Sequence, residues 1–204
     1  MKGRRFGVHP LVVALTLASI WATISPTEAA PRQSYRPDAW LRLCGWGDTC
    51  VHATHHRYFG NGIYNRSGAG QTVSTGMEEG NDVRFWLRLE NDGSTDDTIF
   101  VKGCHGVGGF LVRAVLVGAY TQSTNAENVT RAFEQGTAHF DLRANDTSSV
   151  VLTVDLWART TTAGASYTCP MLTWSAAQPT VRDKVVATMF TCLFNCLRPE
   201  HPHA

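Results

Sequence analysis

The chain carries little charge of either sign. Lys and Arg number 18 against 17 Asp and Glu, and charged residues are only 17% of the 204. So even and sparse a balance excludes a disordered polyelectrolyte and a polybasic nucleic-acid arm. Long apolar runs are also missing. The most apolar stretch, 11–24, falls short of the roughly 20 residues that cross a bilayer, and nothing after it approaches that length. Nucleotide-binding, kinase, GxSxG hydrolase and zinc-finger signatures are absent as well. What is present is 43% apolar residues, enough for one globular unit, and six cysteines.

The N-terminus has the layout of a signal peptide. Lys2, Arg4 and Arg5 form a positive head, 11–24 an apolar middle, and Thr27-Glu28-Ala29 a small-residue exit, so cleavage is expected after Ala29. Cleavage one residue later would leave Pro31 just after the scissile bond. Arg4-Arg5 also invites twin-arginine export, although Phe6-Gly7 fits that pattern poorly. Losing 1–29 leaves 15 basic and 16 acidic residues, a near-neutral balance that argues against electrostatic capture of nucleic acid or anionic lipid by the chain as a whole. The expected division is a signal peptide over 1–29, a sandwich domain over 30–188 and a cysteine-containing tail over 189–204. The expected destination is the cell surface or the medium.

In an oxidising compartment an even number of cysteines reads first as disulfides. Six cysteines allow fifteen pairings, so composition leaves the connectivity open. Cys44 and Cys50 enclose a turn-rich segment that a local bridge would close, and Cys104 with Cys169 makes the natural long-range pair. Cys192 and Cys196, four apart, suit neither an extended strand nor a helix given the Cα separations disulfides tolerate; they bridge in a turn or belong to other partners. A redox CxxxC site is the sharper alternative, but no βαβ pattern surrounds it.

Period-two alternation dominates the rest. Val83, Phe85, Leu87 and Leu89 fall on one face of a strand over 83–90, followed by the turn signal Asn91-Asp92-Gly93. Further strands are expected over 39–43, 98–102, 110–117, 138–142, 150–157, 167–174 and 181–187. Within 150–157, Val150, Leu152, Val154 and Leu156 should point inward and Val151, Thr153, Asp155 and Trp157 outward. Residues 128–133 suit a turn of helix or a short edge strand. The C-terminus gives two answers: 181–187 reads as a last strand, whereas Val185, Met189, Leu193 and Leu197 recur every fourth residue as a helical stripe would. The expectation is a strand to Ala187 and then an irregular or helical tail. About eight short strands separated by turn residues predict an all-β, immunoglobulin-like antiparallel β-sandwich.

Candidate chemistry is sparse. His52, His55 and His56 beside Asp48 would suit zinc or copper if their loop wrapped an ion, but spacing alone does not separate that from an exposed polar loop. Residues 91–97 are rich in oxygen donors yet lack the alternating ligands and closing Glu of an EF-hand; a hairpin turn accounts for them. The more informative signal is aromatic. Trp86 and Trp157 lie out of phase with the aliphatic core, beside Arg84, Arg88 and Asp155, where flat rings flanked by polar groups would suit a sugar or a protein contact; burial under a neighbouring loop or the tail is the alternative.

Several short pieces, in order, resemble a repeat module of secreted and surface bacterial proteins related to CARDB-type and similar immunoglobulin-like domains. They include Arg36-Pro37-Asp38, Gly62-Ile63-Tyr64-Asn65, Leu89-Glu90-Asn91-Asp92-Gly93-Ser94, Thr98-Ile99-Phe100-Val101-Lys102-Gly103, Gly109-Phe110-Leu111-Val112-Arg113 and Thr173-Trp174-Ser175. The resemblance covers 36–187; the segment 49–60 and the cysteine-bearing tail lie outside its pattern. It implies a non-catalytic sandwich with no active-site residues and no cofactor, of which this chain carries a single copy where the modules occur alone or in tandem. A binding or structural role at the cell surface, with a protein or carbohydrate partner, is the function expected; an extracellular metal-binding protein using His52, His55 and His56 is the alternative.

Overall fold

A computed structural model describes residues 33–44, 58–118, 127–145 and 147–192. Along the chain run β1 (Pro37–Cys44), β2 (Thr72–Glu78), β3 (Asp82–Asn91), β4 (Asp97–Lys102), β5 (Phe110–Gly118), β6 (Glu127–Asn128), helix α1 (Thr130–Gln135), β7 (Ala138–Leu142), β8 (Ser149–Ala158), β9 (Ser166–Ser175) and β10 (Arg182–Cys192). Two five-stranded sheets result, ordered β1-β3-β8-β5-β6 and β2-β10-β9-β4-β7. All pairings are antiparallel except β2 with β10, which run parallel.

The alternation visible in the sequence builds the core. Val83, Phe85, Leu87 and Leu89 are all buried, as are Leu152, Val154 and Leu156 on β8. From the other sheet Ile99, Val101, Cys169, Met171, Val185, Ala187 and Met189 contribute to the same cluster. The strand order reproduces an immunoglobulin-type sandwich: β1-β3-β8-β5 occupy the A, B, E and D places and β10-β9-β4-β7 the G, F, C and C′ places. Here, however, β5 precedes β7 in the chain, with β6 and α1 between them. The bridge also differs. Cys104, just past β4, joins Cys169 on β9 with Cα atoms 5.0 Å apart and 65 residues of separation, a closure worth about 4 kcal/mol in the chain-entropy model.

Three expectations need correction. The last strand does not stop at Ala187: β10 continues to Cys192, with Met189 and Thr191 buried on the face of Val185 and Ala187. A spacing of four is also a multiple of two, so Val185 and Met189 of the apparent helical stripe lie on one face of a longer strand, while Leu193 and Leu197 lie outside the described residues. Second, the outward face of β8 is not solvent-facing, since Val151, Thr153 and Asp155 are all buried. β8 lies between β3 and β5, where long side chains such as Arg84 cover it. Third, the sandwich is not wholly antiparallel: β2, absent from the expected strands, lies parallel to β10 from Thr72 opposite Val186 to Glu78 opposite Cys192.

Residues 128–133 satisfy both alternatives offered for them. Glu127–Asn128 pairs with β5, and the Asn128 side chain then accepts the Thr130 N–H at 3.0 Å as α1 begins. Gly136 ends the helix at φ 76°, a left-handed conformation that glycine adopts without strain. The helix buries one ring, Phe133, against Gly103.

Candidate binding site

Arg84, Trp86 and Arg88 alternate with core residues on β3 and face outward, as expected. On the adjacent β1, Arg42 is opposite Trp86 and Trp40 opposite Arg88. The Arg42 guanidinium carbon lies 5.4 Å from the Trp86 ring centroid and 5.5 Å from that of Tyr58, while that of Arg88 lies 4.8 Å above Trp40. Arg84 donates to both oxygens of buried Asp155, at 2.6 and 3.2 Å, and this hydrogen bonding raises its already high pKa. Arg88 contacts the Glu90 carboxylate. Arg42, Arg84 and Arg88 are therefore engaged within the protein. Trp157 lies elsewhere on it: it pairs with Asp82 and Leu111, whereas Trp86 pairs with Thr153, about 13 Å away along β8.

The opposite sheet presents a different outer surface. His139, Phe100, Trp174 and Arg182 form one row across β7, β4, β9 and β10, each directly opposite the next. Phe100 and Trp174 stack with centroids 5.6 Å apart and planes 9° from parallel, and His139 packs on the other side of Phe100 at 5.3 Å. In the adjacent row Leu172 lies between Lys102 and Lys184. An open groove of about 330 Å³ is lined here by Arg66, Lys102, Pro170, Leu172, Arg182 and Lys184. Four cations thus surround a small apolar floor. Among the described residues none of the four forms an ion pair with a carboxylate. Arg182 donates to the Pro179 carbonyl at 2.7 Å and Arg66 to that of Thr180, bonds that orient the guanidinium groups and leave their charge uncompensated.

A buried carboxylate holds the loop that carries Arg66. Asp183, fully buried on β10, accepts the N–H groups of Ala39 (2.9 Å) and Asn65 (3.1 Å) and the side-chain amide of Gln71 (3.0 and 3.2 Å). Gln71 also donates to the Ile63 carbonyl at 2.6 Å. Burial raises the Asp183 pKa, opposed by these hydrogen bonds. Sequence reasoning missed this cationic groove. Its signal was the outward phase of Lys102 on β4 and of Arg182 and Lys184 on β10, which converge only once β9 is placed between them.

Of the cysteines, Cys104–Cys169 forms as expected, and Cys44 and Cys192 are also disulfide-bonded. Cys50, Cys196, the histidines His52, His55 and His56, and the expected signal peptide over 1–29 lie outside the described residues. No described helix is long and apolar enough to cross a membrane.

No protein-family model and no curated protein sequence matches the chain. Similar solved structures include a family 123 glycoside hydrolase from Clostridium perfringens (TM-score 0.40, 6% identity, 61% of this chain and 23% of that one). They also include the PapD-like domain 7 of human CEP192 (TM-score 0.33, 13% identity, 61% of this chain and 81% of that one). A third is the collagen-binding subdomain of the Enterococcus faecalis surface protein ACE (TM-score 0.30, 14% identity, 57% of this chain and 93% of that one). The chain therefore spans under a quarter of the hydrolase's length.

Proposed function

We propose that this protein is an exported, non-catalytic β-sandwich module that binds an acidic glycan through the groove between Lys102 and Lys184. The observation that carries this reading is the set of four cations around Pro170 and Leu172 with no carboxylate paired to them among the described residues. Sulfate or uronate groups on a sugar chain complement that charge, and the apolar floor suits the ring between them. The groove lies on a sheet face, among β4, β9 and β10, whereas an extended peptide would add to a sheet edge. Export is supported by the leader pattern of 1–29 and by the bonded state of every described cysteine.

The test compares binding of purified disulfide-bonded protein to sulfated dextran and to neutral dextran. Sulfated dextran should be retained and released by salt, as exposed charge contacts are. Reversing Lys102→Glu and Lys184→Glu together should weaken binding at least about tenfold, near 1.4 kcal/mol, with Tm unchanged. Equal retention on neutral dextran, or a double variant that binds as well as wild type, overturns the reading.

A second reading places a protein or neutral-glycan contact on the other sheet at Trp157, where the exposed Leu111 lies directly opposite it, with Trp86, Arg84 and Arg88 extending the surface. In that case Trp157→Ala, and not the lysine reversals, removes binding.

A further inference from the structure

Asp38 on β1, Glu90 near the end of β3 and Asp92 just beyond it each bring a carboxylate oxygen within 4.8 Å of the other two. Asp38 and Glu90 are register partners, and both are buried. The two oxygens of Asp38 are treated differently. Oδ2 accepts the Trp40 indole N–H at 2.5 Å and the Gly62 N–H at 3.1 Å. Oδ1 is buried and, among the described residues, has no hydrogen-bond donor. Asp92 accepts the Tyr64 hydroxyl and Glu90 forms an ion pair with the Arg88 guanidinium, while Arg36 lies over the Tyr64 ring, 3.6 Å from its centroid. Three carboxylates thus gather in a site where leaving Asp38 Oδ1 unpaired is costly.

A hard divalent cation meets both conditions, the clustered negative charge and the unpartnered oxygen. Calcium–oxygen bonds of about 2.3–2.6 Å let one ion touch oxygens up to roughly 5 Å apart, while magnesium at about 2.1 Å reaches only about 4.2 Å and holds its octahedron rigidly. We propose that Asp38 Oδ1, with one oxygen each from Glu90 and Asp92, binds a calcium ion where β1 meets the end of β3. This site is separate from the glycan groove and does not depend on it. Its ligands lie on both sides of the 58–71 loop attachment: Gly62 bonds to Asp38 and Tyr64 to Asp92, so the ion stiffens the loop that carries Arg66.

The test uses the full disulfide-bonded protein after chelation. Calorimetric titration should find one calcium per chain, and calcium at about a hundredfold over Kd should raise Tm by roughly 5–10 °C, reversed by EGTA. Terbium in place of calcium should luminesce on indole excitation, because Trp40 bonds to a ligand carboxylate, and Trp40→Phe should lose most of that signal. Asp38→Asn should abolish the calcium-dependent Tm shift; should it fail to fold, Asp92→Asn is read in the same way. A wild-type Tm indifferent to calcium and EGTA overturns the proposal. So does a calcium shift that persists in Asp38→Asn, or magnesium acting as strongly as calcium at equal concentration.

Discussion

Asp183 accepts the backbone N–H of Ala39 at 2.9 Å, joining the last strand of one sheet to the first strand of the other across 144 residues of chain. The same carboxylate holds Asn65 and Gln71. Asp183→Ala removes the acceptor of four donors, the N–H groups of Ala39, Asn65 and Lys184 and the Gln71 amide, and leaving a buried donor unpaired costs about 1–3 kcal/mol. A destabilisation of about 3 kcal/mol or more is expected in urea unfolding, with Asp183→Asn intermediate because it keeps one acceptor oxygen. A cost below about 1 kcal/mol would show that the hub does not hold the two sheets together.

Gly103 and Phe133 fit against each other with no room to spare. A Cβ on Gly103 would lie 1.8 Å from the Phe133 ring, and the Gly103 N–H donates to the Phe133 carbonyl at 3.0 Å. Gly103→Ala should therefore displace α1 and cost roughly 1–3 kcal/mol, as overpacking does. Phe133→Leu alone should also destabilise. The double variant should be more stable than the sum of the two single losses predicts, a favourable coupling read from a double-mutant cycle; strict additivity would place Phe133 away from Gly103.

Tyr167 sets an alkaline limit. Its ring is buried against Phe110, centroids 5.1 Å apart, its hydroxyl donates to the His105 carbonyl, and burial with nearby Glu134 pushes its pKa up to about 12. Because the folded value is above that of the unfolded chain, about 10, its contribution is fully present below pH 10 and is lost as pH rises toward 12. Wild type should lose stability more steeply than Tyr167→Phe over that interval. Parallel pH profiles would contradict the assignment.

Much of this architecture was legible because strand burial follows a period of two. The runs at 83–90, 98–102 and 138–142 fall inside or coincide with β3, β4 and β7, and their inward residues are those that alternation selects. The failures have specific causes. A period of four on β10 is compatible with helix and strand alike. The strand β2, Thr72–Glu78, alternates Val73, Thr75 and Met77 with polar residues but contains two threonines, a serine and a glycine, so its apolar signal is faint. A strand flanked on both sides, such as β8, buries its second face whatever its own pattern says.

By itself the sequence determined the paired-cysteine chemistry and a chain of short two-faced strands, because these depend on residue type and on neighbours a few positions away. Only the tertiary structure decided that β2 runs beside β10 and that Lys102, Lys184 and Arg66 meet around one groove. It also decided that Asp38 lies against Glu90 and Asp92. Those relations join residues from 36 to more than 100 positions apart, and they follow from register between strands, which is set by the packing of the whole core and is written in no single segment.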